Sequence, residues 1–413
     1  MKKPLILILL FVNLFFSNSA LSQKDNSKII NAFSDRVFNG DGYQPLESLK
    51  WKYKTDGKIF SSPIAKDGVV YIGSEDGFLS AIDEKSGNLK WKFKTNGAIH
   101  SSLSLFENII YFGSFDGNYY AVNTKNGKLI WKFKTGGEHW LGEVGLGGMK
   151  PETQYMEDLW DFYLSSPVVY ENEKSAFVIF GSSDSHIYSV DAKTGDLKWK
   201  FKTNGPVHGT PVIDKNKIYV GGWDATLYAL EAENGKLLWQ FQTGTQTGFK
   251  GIQSSVAVHD GKVYFGAREP FFFALNADTG KLVWKYDAEN SWILSSATIK
   301  DNIVYVGTSD TYALLALDAK TGTEKYRFKT NGWTYSSPVI AGNTIYIGDF
   351  TGNLFSLDLL SNGKKFNLTS TENRKQLASS ILKNDLLDSG YTAQNTDLSI
   401  YDNNKKMMDQ FYK

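Results

Sequence analysis

Hydrophobic and polar positions along this chain come in short alternating runs. In residues 209–241, GTPVIDKNKIYVGGWDATLYALEAENGKLLWQF, an apolar stretch (TPVI) meets a polar turn (DKNK). A second stretch (IYVGG) ends in a tight turn at Asp224, and a third (TLYAL) leads through a turn closing on Gly235 into a tryptophan stretch. Each run is four to six residues long, rich in Val, Ile, Tyr and Trp, and bounded by Gly, Asn and Asp. That pattern predicts short antiparallel strands joined by hairpins. In the last run of such units, of the type WKFKT, aromatics alternate with lysines. Trp and Phe then face one side, against a neighbouring sheet. The lysines face water and guard an outermost edge against pairing with other chains.

The unit repeats. LKWKFKTNG occurs at 89–97 and again at 197–205. Related phrases begin at Trp51, Trp91, Trp131, Trp199, Trp239, Trp284 and Tyr326. They are about forty residues apart, except for one long interval between Trp131 and Trp199. Four short strands per forty residues is the period of a β-propeller blade. Inner strands begin at 61, 101, 165, 209, 254, 295 and 336, six of them on paired serines. A worn eighth copy at 378–402 keeps Ser379 and Ser380 but lacks its own tryptophan strand. The segment 49–54 is a tryptophan strand with no blade before it, so it is expected to complete blade eight and latch the ring. Residues 364–370 would be the fourth strand of blade seven. The expected fold is all-β: an eight-bladed β-propeller of four-stranded antiparallel blades, spanning 49–402 and closed by an N-terminal strand, with 403–413 as a tail.

Two further regularities have mechanical readings. Gly87, Gly127, Gly195, Gly235, Gly280, Gly322 and Gly363 close the turn before the fourth strand, a place that calls for positive φ. The acids after the second strand (Asp76, Asp116, Asp184, Asp224, Glu269 and Asp310) recur blade after blade. They read as caps of their own hairpins, bonding local backbone amides, rather than as a metal or catalytic ring.

Composition removes several function classes. The net charge of +1 gives no global field toward nucleic acid or a membrane surface. The absence of cysteine excludes disulfides, thiolate nucleophiles and cysteine-held metals. Neither HExxH, GxSxG, P-loop nor EF-hand spacing occurs. At the N-terminus, Lys2 and Lys3 precede the apolar run Leu5–Phe16 and the small-residue stretch SNSALSQ. This reads as a signal peptide, 1–22, cleaved after Ser22. The run is too short to span a bilayer as a stable helix, and no cysteine follows it to carry a lipid. The expectation is a periplasmic or secreted monomer with neither lipid anchor nor transmembrane helix in the mature chain, preceded by a linker at 23–48.

The phrases AIDEKSGNLKW, SVDAKTGDLKW and ALNADTGKLVW resemble the repeat of the PQQ-like (pyrroloquinoline quinone-like) β-propeller family. The resemblance covers nearly all of 49–402. It implies an eight-bladed ring, as in BamB-type outer-membrane assembly proteins and the propellers of quinoprotein dehydrogenases. The BamB side implies a non-enzymatic scaffold presenting a loop face to a protein, peptide or glycan. The dehydrogenase side implies, as the alternative, an oxidoreductase using PQQ with calcium. Those enzymes carry a vicinal cysteine pair over the quinone, which this chain lacks, and no matching Glu–Asn–Asp ligand set can be placed. No cofactor is therefore expected. The BamB comparison lacks its lipid-bearing cysteine here.

The irregular parts of the repeat gather on one face, where fourth-to-first and second-to-third connections emerge. The long interval is one of these: residues 136–164, placed between blades 3 and 4, with six glycines, His139, Trp140, Trp160 and six acids. It reads either as a recognition lid or as a plug. The residue just before the paired serines varies: Phe60, His100, Leu164, His208, Gln253, Leu294 and Tyr335. With Trp223, Arg268, Trp292 and Trp333 these should ring the channel mouth. The candidate ligand- or partner-binding residues are thus His100, His139, Trp140, Trp160, His208, Trp223, Arg268, Trp292, Trp333 and Tyr335. The bland alternative is that the aromatics plug the channel. No catalytic or metal-ligating set is assigned.

Overall fold

The computed structural model describes residues 29–31, 49–139, 141–144, 153, 155–158, 161, 164–244 and 251–359. These contain strands and no helix. Blade 1 is Ile64–Lys66, Val69–Gly73, Phe78–Asp83 and Leu89–Lys94, hydrogen-bonded in chain order. Six more antiparallel sheets repeat this up-and-down order, with inner strands beginning at Ser104, Val168, Val212, Ala257, Thr298 and Val339. In blade 7 the described strands are three, ending at Leu354–Asp358. The expected fourth strand at 364–370 and the eighth blade at 378–402 lie outside the described residues. Counted by inner strands, the long insertion joins blade 2 to blade 3. The expected placement between blades 3 and 4 is therefore corrected to one junction earlier.

The cores lie between blades. One apolar cluster joins Tyr219, Leu227 and Trp239 of blade 4 to Val263, Phe265 and Phe273 of blade 5. Equivalent clusters sit at every junction from blades 1–2 to blades 6–7. The strand alternation explains this: sheets flanked by a blade on either side are covered on both faces, so their two middle strands are buried nearly throughout. The outer strands read exposed at the lysines and covered at the aromatics, as expected. Each outer strand also carries a register shift at one place, as at Ala81/Ile82 and Ala229/Leu230, a bulge that adds local twist.

Tryptophan staples one blade to the next. The indole N–H of Trp91 donates to the Thr124 carbonyl at 3.0 Å, and Trp131, Trp199, Trp239 and Trp284 make the same bond one blade further on. The turn glycines have the positive φ foreseen and a second reason besides; Gly363 lies outside the described residues. A Cβ on Gly235 would stand 2.5 Å from Trp199 of the preceding blade, and Gly87, Gly127, Gly195, Gly280 and Gly322 face a tryptophan likewise.

Trp51 makes this same contact on blade 1, with its indole N–H 2.8 Å from the Glu84 carbonyl and its ring over Gly87. Residues 49–54 therefore occupy the place of a preceding blade's outer strand, although they are not themselves in a sheet. A feature without a sequence signal lies upstream: Ile29–Asn31, inside the segment read as linker, pairs antiparallel with Ser104–Phe106 as a fifth strand on blade 2.

Candidate binding site at the channel mouth

The paired serines organise the centre of the ring. In blade 2, Ser101 Oγ donates to the Gly113 carbonyl at 3.1 Å and accepts the Gly113 N–H at 2.8 Å. The inner ladder starts only at Ser104↔Tyr111, so Gly113 lies beyond its end and one hydroxyl replaces a missing strand partner. Ser61, Ser254, Ser295 and Ser336 do the same for Gly73, Gly266, Gly307 and Gly348. The second serine works between blades. Ser62 N–H donates to Ser102 Oγ at 3.0 Å, Ser102 N–H to Ser166 Oγ at 2.8 Å, and Ser166 N–H to Thr210 Oγ1 at 3.1 Å. Ser255 and Ser296 continue the series onto Ser296 and Ser337.

These hydroxyls line a central cavity of about 280 Å³. Above them lie the residues that precede the serine pairs: Phe60, His100, Leu164, His208, Gln253, Leu294 and Tyr335 all line it. The variable ring foreseen from the repeat register is thus assembled around one channel.

The recurring carboxylates are engaged with backbone amides. Asp116 Oδ1 caps its own hairpin at Asn118 N, 3.1 Å away, while its Oδ2 accepts Asn96 N–H of the preceding blade's exit loop at 2.9 Å. Asp76, Asp184, Asp224 and Asp349 take the corresponding upstream amides. The capping role is seen at Asp76, Asp116 and Asp224, with an inter-blade bond added that local reasoning did not foresee. Among the described residues no group of three His, Asp or Glu is placed to hold a metal ion.

The insertion descends onto this mouth. Its described core is a two-stranded ribbon, Gly142–Val144 paired with Tyr155–Glu157. At its root, Glu138 Oε2 accepts Ser183 N–H and Oγ–H, both at 3.0 Å. At its far end two carboxylates reach the ring. Asp161 Oδ1 lies 2.8 Å from His208 Nδ1, with both side chains wholly buried. Asp158 pairs with Arg268. His208 Nε2 is 2.7 Å from Ser183 Oγ, which links it to Glu138. The order Asp161–His208–Ser183 has the connectivity of a hydrolytic triad. Here, however, Ser183 is buried and its oxygen sits against the Glu138 carboxylate, so the set is a clamp rather than a nucleophile. Burial opposes a charge on His208 and is the largest single influence. The charge and hydrogen bond of Asp161, with Glu138 behind, outweigh both burial and Arg268, and the imidazole is held above its ordinary range.

The predicted residues do not form one cluster. His208, Trp223, Arg268 and Trp292 come together: the Arg268 guanidinium lies 4.2 Å from the Trp223 ring and 5.4 Å from that of Trp292, and its Nε and Nη2 donate to Gln253 Oε1. His100 stands apart, buried between Phe60 and Phe115 with ring centroids at 4.3 and 5.1 Å. Trp333 and Tyr335 form an aromatic cluster with Phe350 on blade 7, and Phe350 is 51% exposed. His139 is exposed at the insertion root, where its backbone meets Ser183. Trp140 and Trp160, read as the insertion's anchors, lie outside the described residues. The described anchors are Asp158, Asp161 and Glu138, which carried no signal beyond being acids in a long loop.

The fold and these details can be set beside known proteins. The crystal structure of BamB from Moraxella catarrhalis superimposes with a TM-score of 0.60 at 16% identity, covering 76% of this chain and 88% of that one. A computationally designed protein, Ika8, aligns with a TM-score of 0.48 at 16% identity over 74% of this chain and 97% of its own. No curated protein sequence matches the chain. The family model described as outer membrane protein assembly factor BamB matches residues 46–144, 134–256 and 246–382. With those matches running through the whole blade repeat, the chain belongs to the BamB family of PQQ-like propellers.

Proposed function

We propose that this protein is an exported, BamB-type scaffold that holds a protein partner of outer-membrane assembly on its loop face. The observation that carries this reading is the mouth itself. A ring of staples supports a face where part-buried Trp333, buried Tyr335 and half-exposed Phe350 cluster beside the serine-lined channel. A partly exposed aromatic backed by packed neighbours is a usual anchor of protein recognition. The family description names outer membrane protein assembly, which is the process we assign.

The residues present do not fit a calcium-held quinone. The mouth carboxylates Glu138, Asp158 and Asp161 are spent on Ser183, Arg268 and His208. We derive no redox step.

A photo-crosslinking amino acid at position 350 tests the proposal in the intact chain. It should capture a discrete protein partner from an extract of exported proteins, and Trp333→Ala should abolish the capture. Undiminished capture by Trp333→Ala, or none by the parent protein, overturns it. N-terminal sequencing of the exported chain should begin at Gln23.

A further inference from the structure

We infer that Arg268 and His208 are two carboxylate seats for an acidic partner segment, and that the insertion occupies them in its own chain as a displaceable stand-in. The inference rests on the scaffold reading above and names the chemistry of what that face accepts.

The Arg268 seat is built before any partner arrives. The guanidinium is stacked on Trp223 and near Trp292, and Nε and Nη2 are held by Gln253 Oε1. That leaves Nη1 for a carboxylate, and Asp158 takes it. A guanidinium fixed on an aromatic face and keyed by an amide is pre-organised for planar oxyanions. The second seat adjoins it through Trp223, whose ring centroid is 6.1 Å from that of His208. Asp161 fills this one. The structure therefore shows the mouth binding two carboxylates three residues apart on one strand end.

The element that supplies them is separate from the ring's own sheets. Gly142–Val144 and Tyr155–Glu157 pair with each other and with no blade. A ribbon of three residues a side is marginal by itself. Among the described residues, its polar contacts with the ring lie at the Glu138–His139 root and at the two seated carboxylates. A competing segment of the form Asp-x-x-Asp offers the ring the same two groups. Removal of the ribbon without replacement would strip the buried Arg268 guanidinium and the buried His208 imidazole of these carboxylates, so exchange is the favourable route.

The test uses the full chain and a fluorescent twelve-residue peptide of neutral, unrelated sequence carrying Asp-x-x-Asp, with an Asn-x-x-Asn twin. Asp158→Asn/Asp161→Asn protein should bind the acidic peptide about tenfold or more tighter than wild type does, because its own occupants no longer compete. The twin should not bind, and adding Arg268→Met should abolish binding. Equal affinity for the two peptides, or no gain over wild type, overturns the inference. Should the double variant fail to fold, amide exchange of residues 155–158 in wild type is read instead. Saturating acidic peptide should accelerate it and the twin should not; no acceleration overturns the inference. Continued crosslinking at position 350 alongside a failed peptide experiment removes the seats and leaves the scaffold.

Discussion

Replacing Ser101 by Ala should cost far more than replacing its neighbour Ser102, although both belong to the same recurring pair. Ser101 is fully buried, and its hydroxyl both donates to and accepts from the backbone of Gly113. Alanine leaves that N–H and that C=O without partners. Water has no room to replace the hydroxyl: even a Cβ on Gly113 would meet Tyr119 at 2.8 Å and Leu164 at 3.1 Å. An unsatisfied buried polar group costs about 1–3 kcal/mol, so the pair predicts a loss of roughly 3 kcal/mol. Ser102 accepts one N–H, from Ser62 at 3.0 Å, and lines the central cavity. Water entering from the cavity can take over that bond, and the expected loss is about 1 kcal/mol or less. Urea unfolding followed by tryptophan fluorescence measures both variants against the parent, provided the slope is unchanged. Equal losses, or a Ser101→Ala loss below about 1 kcal/mol, would refute the view that the first serine completes the ladder.

Three more expectations follow from named contacts. His208 has its protonation favoured in the folded state, so its hold on Asp161 is fully present below about pH 6.5 and is lost as pH rises through its raised value; amide exchange at 155–158 should accelerate across that range, and His208→Gln should flatten the profile. The groups facing this imidazole are Asp161, Glu138, Ser183 and Arg268, and loss of Asp161 should remove the same pH dependence. Gly235→Ala combines a left-handed φ of 71° with a Cβ 2.5 Å from Trp199, whereas Gly261→Ala has φ 67° with nothing within 4 Å; thermal melts should show the latter near the bare backbone cost of about 1–2 kcal/mol and the former well beyond it. Trp51 covers Gly87 and bonds the Glu84 carbonyl, so deletion of 23–54 should lower the melting temperature more than deletion of 23–48; coincident melts would show that 49–54 does not latch the ring.

Much of the architecture was legible because a blade is a local object. Strand lengths, the alternation in WKFKT, the turn glycines and the register that puts His100, His208 and Tyr335 at one level all repeat every forty or so residues. Each reflects a constraint felt within a few neighbours: pleat, turn dihedral, burial of one face. The insertion's place on the mouth face followed from the same register, since both its ends sit between an outer and an inner strand.

What the tertiary structure alone decided are the bonds between blades and across the ring. A serine with two partners in a neighbouring strand looks, in sequence, like any serine in a turn. The glycine before each outer strand declares its φ but not the tryptophan that the previous blade lays over it. Asp158 and Arg268 are separated by 110 residues, and Asp161 and His208 by 47. No periodicity links such pairs, because they meet only when separate blades are packed around the channel. The pairing of Ile29–Asn31 with blade 2 is of this kind as well. A repeat specifies its own unit through short-range sterics and burial, while one-off contacts at the mouth depend on long-range packing between blades that a local pattern does not encode.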